Sequence, residues 1–120
     1  MPYLVDMLHH PSEHVRGYAA RHMSYLHKFV GDTVTSPVLN DSGGGLGSLL
    51  WHLANSKDFG DRASYASLIG VCSLHCDAHV LEELNTAGTC QLVYSLLEQA
   101  DSDSSKSQLL LSLEVGRFAE

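Results

Sequence analysis

Residues 4–26 read LVDMLHHPSEHVRGYAARHMSYL. Leu4, Met7 and Leu8, with Tyr3 ahead of them, form an apolar stripe at helical spacing. Pro11 breaks that helix, because proline disfavours the helical conformation of the residue before it. Ser12 is placed to cap a second helix. Val15, Ala19, Met23 and Leu26 would line one face of it, to about Phe29. The stretch is therefore two helices joined by a tight polar turn.

The same pattern returns further along. At an offset of 46 residues, Tyr3, Leu4 and Met7 fall on Leu49, Leu50 and Leu53, Arg16 on Arg62, Ala20 on Ala66, and Met23 on Ile69. A further offset of 44 carries Leu53 to Leu97, Arg62 to Lys106 and Ile69 to Leu113. Each unit is an apolar helix, a polar turn, a basic residue and a second apolar helix. Such a unit cannot bury its apolar faces alone, whereas stacked units share a core. The recurring basic residue is expected to hold the stack together, by a charge pair with an acid of a neighbouring unit.

Between these units the sequence marks boundaries. Residues 31–45, GDTVTSPVLNDSGGG, are turn formers with one proline and three glycines, read as a flexible loop. Asn55 to Gly60 form a turn before a helix from Asp61 to about Leu74, with Ala66, Ile69 and Cys72 inward. Asp77 can cap a short helix, Ala78 to Leu84, that stops near Gly88. Leu92, Val93, Leu96 and Leu97 make another stripe. DSDSSKS (101–107) reads as a polar turn before a last helix that carries Leu109, Leu110, Leu113 and Phe118 and runs to Glu120 without a stop. Trp51, on a first helix, is expected in or near the core. No strand pattern is evident.

These residues carry a family resemblance. The stretch 4–26 resembles a HEAT repeat, with Pro11, Val15, Arg16, Ala19 and Ala20 on the family's positions. LEELNTAGTCQLVYSLLEQADSDSSKSQLLLSL (81–113) resembles an armadillo repeat, with its short first helix, the Ala87–Gly88 turn and Leu92, Leu96 and Leu97. The resemblance implies an all-α fold: a right-handed α-solenoid of about three helical units at 1–30, 46–75 and 78–120, forming one domain and a segment of a longer array. It also implies a scaffold for protein–protein contact. The asparagine by which armadillo proteins clamp basic peptides is replaced by Tyr25, Val71 and Val115, and the tryptophan one turn before it by Arg21, Ser67 and Leu111. That mode of peptide capture is not expected.

Composition narrows the function classes. The 120 residues hold 14 acids against 7 bases, and residues 63–120 hold eight acids and two bases. Phosphate-backbone binding needs Lys and Arg, so nucleic acid is not an expected partner. Neither a secretory leader nor a membrane-length apolar run is evident. Three cysteines are too few for a disulfide framework. The expected setting is intracellular with reduced thiols, cytoplasmic before nuclear.

Residues with catalytic or metal-ligating chemistry read mostly as ordinary packing. The chain has eight histidines. His10 and His14 are four apart, but Pro11 interrupts the helix between them. Cys72, His75, Cys76 and His79 have metal-ligand chemistry at helical spacing, yet four ligands strung along ~10 Å of helix cannot reach one tetrahedral ion. An iron-binding enzyme family of this architecture, deoxyhypusine hydroxylase, relies on His-Glu dipeptides, and the chain has none. No nucleophile elbow appears, and GGGLGS (43–48) lacks the Lys-Ser/Thr ending of a phosphate loop. The expectation is a non-enzyme with no metal, cofactor or small-molecule substrate.

Binding would then fall on the second helices. Arg21, Ser24, Tyr25 and Lys28, continued by Ser67 and Val71, are the expected partner surface. It suits an apolar partner helix with an acidic end, or neighbouring repeats of a larger chain. A spacer role within a longer array, and a His/Cys metal-dependent protein, are the alternatives.

Overall fold

A computed structural model describes residues 6–39 and 45–116, apart from the side chains of Lys28, Asp32, Val34, Gly45 and Val115. Every regular element among them is a helix: α1 (Glu13–Val30), α2 (Asp32–Leu39), α3 (Gly45–Asn55), α4 (Phe59–Ser73), α5 (Ala78–Thr86), α6 (Thr89–Gln99) and α7 (Asp103–Val115). The expectations resting on Tyr3, Leu4 and Phe118 lie outside the described residues.

Local chemistry sets most helix ends. Ser12 has the extended backbone of an N-cap, but its hydroxyl makes no capping bond. Instead its N–H donates to His10 Nδ1 at 2.9 Å. Asp58 opens α4 by accepting from the Asp61 N–H, and Asp77 opens α5 by accepting from the Val80 N–H, as the sequence indicated for Asp77. Gly31 and Gly88 close α1 and α5 at φ +55° and +73°, where a side chain is strained.

Three segments differ from the sequence reading. The 31–45 stretch contains α2, with Pro37 inside it. Thr35 and Val38, one turn apart, are fully buried there. Burial of that face overrides the cost of a proline in the helix. The DSDSSKS run is mostly the first turns of α7: the Ser102 hydroxyl accepts from the Ser105 N–H, so its serines start a helix instead of extending a turn. That helix stops at Val115, where Gly116 donates its N–H to the Ser112 carbonyl.

The core gathers around α4. Every residue from Ala63 to Ser73 is buried. Helices α1 and α7 flank α4, α3 and α2 also pack on it, α6 packs on α7, and α5 on α6. Helix α1 contributes Ala19, Ala20 and Met23, and α3 contributes Leu46, Leu49 and Leu53. Small residues let the flanking helices come close. A Cβ on Gly70 would stand 2.8 Å from the Ser112 Cα of α7, and one on Gly17 of α1 would overlap the Asp61 carboxylate. Trp51 is not in the core: it is 62% exposed, its ring edge-on to His52. Arg16 and Arg62 donate to backbone carbonyls, where the sequence reading expects a charge pair with an acid. The principal extents are 33 × 31 × 26 Å, so no axis of the molecule is drawn out.

Candidate functional site

The expected partner surface divides in two. Arg21 and Tyr25 are exposed on α1. Ser24, Ser67 and Val71 are buried, at 1%, 0% and 2% exposure, and are removed from any free surface. The Ser24 and Ser67 hydroxyls meet at 2.8 Å across the α1–α4 seam. Ser24 Oγ also lies 2.8 Å from the Ala20 carbonyl, and Ser67 Oγ 2.9 Å from the Ser64 carbonyl. The two hydroxyl protons can fill two of these three short contacts at a time, within a polar seam enclosed by the core. The physical reason is that α4 is covered on every side, so its small polar residues face other helices. The Lys28 side chain lies outside the described residues.

What α1 does expose is aromatic. Tyr18, His22, Tyr25 and Phe29 follow i, i+4, i+7 and i+11 spacing along one helix face. Tyr18, Tyr25 and Phe29 are 60%, 42% and 82% exposed. Tyr18 and His22 stack with ring centroids 5.7 Å apart, and the Arg21 guanidinium stands 6.0 Å from the Tyr25 ring centre. This preorders three of the side chains. The spacing is present in the sequence, but the stronger core stripe on the same helix masks Tyr18 and Phe29.

Beside this face lies a cleft of about 220 Å³ between α1, the start of α4 and the start of α7. His14, Tyr18 and Arg21 line one side, Gly60, Asp61 and Ser64 the floor, and Gln108 with Ser104 and Ser105 the other side. Gln108 Nε2 donates to the Tyr25 hydroxyl at 3.3 Å, joining α7 to the aromatic face.

Behind Asp61 of the floor, two further carboxylates stand close, Asp58 and Glu13. Glu13 Oε1 accepts from the Lys57 N–H at 2.9 Å and lies 3.4 Å from the Asp58 nitrogen. Asp58 Oδ1 accepts from the Asp61 N–H at 3.0 Å. Burial, then the nearby Asp58 charge, push the Asp61 carboxyl above the usual range, while His14 pulls the other way. His14 Nδ1 stands 3.2 Å from Asp61 Oδ2. His14, Asp58 and Asp61 each offer a ligand atom, and these lie within 4.8 Å of one another. Sequence spacing gives no hint of this group, because His14 joins the two aspartates only through the α1–α4 packing.

The Cys/His constellation disperses in the fold. Cys72 is fully buried, and its thiol is held far above the ordinary range by that burial. His75 Nε2 meets His27 Nε2 at 2.9 Å. Cys76 Sγ donates to the Ser73 carbonyl, and His79 pairs with Glu83 at 3.1 Å. His10 Nδ1 is taken by the Ser12 N–H.

No helix among the described residues is long and apolar enough to cross a membrane. No family model, curated protein or solved structure matches the chain.

Proposed function

We propose that this chain is a non-catalytic protein-interaction module, a short right-handed solenoid of about three HEAT/armadillo-like units acting in an intracellular scaffold. The observation that carries the interaction reading is the exposed α1 face of Tyr18, His22, Tyr25 and Phe29. Aromatic side chains present large contact area at low entropic cost, and with arginine they dominate binding hot spots. An ordered aromatic row beside a cleft is a surface built for contact. The solenoid reading is supported by the flanking of α4 by α1 and α7, the second helices of the three units read from the sequence.

The partner is an apolar helix with an acidic end, laid along α1 so that the acid meets Arg21. The negative balance of the chain argues against nucleic acid. A spacer role within a longer array is the second reading. The half-exposed Tyr94 of α6 and Leu110 of α7 favour it, as apolar surface that a neighbouring unit would cover.

A photo-crosslinking residue placed at Phe29, with the same residue at Tyr94 for comparison, tests the first reading in cells. A discrete adduct with another protein from position 29, absent from position 94, supports it. Adducts from position 94 alone support the spacer.

A further inference from the structure

We propose that His14, Asp58 and Asp61 form a binding site for a divalent metal ion of the zinc class, pinning the first turn of α1 to the start of α4 at the floor of the cleft. This goes beyond the interaction reading and does not depend on it.

The donor set is nitrogen and carboxylate oxygen, which suits zinc. Ligands at ~2.0–2.2 Å from a tetrahedral ion lie ~3.3–3.5 Å from one another. His14 Nδ1 and Asp61 Oδ2 are 3.2 Å apart, close to such an edge. The ligand atoms of all three residues fall within 4.8 Å, so small side-chain rotations bring the third in. Asp58 spends Oδ1 on the Asp61 N–H and keeps its other oxygen for the ion. That backbone bond orients the Asp58 carboxylate, the kind of support that metal ligands use.

Two buried acceptors short of donors point to a cation. Asp61 Oδ2 is buried and, beyond the His14 ring nitrogen at 3.2 Å, meets no aligned donor among the described residues. Gln108, only 4% exposed, lines the same cleft, and its Oε1 is likewise buried without a donor among them. A buried acceptor left unmade costs about 1–3 kcal/mol. An ion with a bound water would serve both oxygens: the ion takes Asp61, and the water donates toward Gln108.

The surroundings favour a positive guest. Glu13, Asp58 and Asp61 crowd one corner. The α4 N-terminus opposes a cation by only about half a charge, which the three carboxylates outweigh. Arg21 also lines the cleft, but it is solvent-exposed and screened. Gly17 makes the corner possible, since any side chain there would displace the Asp61 carboxylate from α1.

The test is calorimetric titration of the chelator-treated full chain with Zn²⁺, repeated with Co²⁺ to read ligand-field absorption. The variants are Asp61→Asn and His14→Gln, with the exposed His22→Gln and His79→Gln as controls. Circular dichroism confirms that each is folded. The expected result is one equivalent of Zn²⁺ in the parent and both controls, with affinity at least ~10-fold weaker in Asp61→Asn and His14→Gln. His14 is at the surface, so its variant reports even if Asp61→Asn does not fold. Absence of binding to the parent, or binding unchanged in His14→Gln, overturns the proposal; the latter places zinc on other histidines.

Discussion

Arg62 Nε donates to the Leu53 carbonyl across 2.8 Å, tying the end of α3 to the start of α4. Arg16, 46 residues earlier and near the start of α1, donates through Nη1 to the carbonyls of His10 and Pro11 at 2.7 and 3.0 Å. Both arginines turn back onto the segment before their own helix. Carbonyls near a helix C-terminus lack intrahelical partners and carry the negative end of the dipole, so a guanidinium satisfies both needs. The arginine near the start of α1 and of α4 is thus a clip between that helix and the segment before it.

Removing that clip should show in stability. Arg62→Ala leaves the Leu53 carbonyl without its charged donor, and the expected loss is ~1.5–3 kcal/mol, the range for hydrogen bonds to charged groups. Thermal melts of parent and variant measure it. A variant melting with the parent would mean that water replaces the guanidinium without cost.

Two glycines separate packing from propensity. Gly70→Ala would ordinarily favour a helix, but its Cβ would stand 2.8 Å from backbone of α7 at Ser112. The expected result is destabilisation by ~1–3 kcal/mol as α7 is pushed off. Gly47 lies in α3 with nothing within 4 Å of the added Cβ. Gly47→Ala is therefore expected to stabilise by ~0.5–1 kcal/mol. Opposite signs in denaturant titrations support the close α4–α7 approach; two gains would contradict it.

Stability should also fall in mild acid. Burial, then the nearby Arg16 charge, lower the affinity of His52 for a proton. Its ring stacks on Tyr65 at 5.5 Å. The unfolded chain then binds more protons than the folded one, so stability rises with pH up to the ordinary histidine value of ~6.5 and is lost as pH falls below it. Asp61 is displaced in the opposite sense and acts lower, in the carboxylate range. His52→Gln should shrink the difference in melting temperature between about pH 7.5 and about pH 5.5. An undiminished difference would assign the acid sensitivity to other groups.

How far the sequence was legible depends on the kind of signal. Helices α1, α3 and α6 follow apolar stripes, and α5 follows the Asp77 cap, all local patterns. Helix α2 is not legible in the sequence because Thr35 and Val38 are helical only by what they bury, while Pro37 and its polar neighbours signal a loop. In α4 the residues Ser64, Ser67, Gly70 and Ser73 look like a solvated face, but their small size lets α1 and α7 lie close. Two expected contact residues, Ser67 and Val71, vanished into the core for that reason. Asp61 and Gln108 acquire meaning only when three helices meet, which no spacing along the chain encodes.

The most direct test of the interaction reading is affinity capture from cell lysate. The parent is compared with an Arg21→Glu/Tyr25→Ala variant that still melts cooperatively, and with Tyr94→Ala as a control on α6. The α1 face predicts proteins held by the parent and by Tyr94→Ala and lost by the double variant. Identical profiles from all three would contradict it.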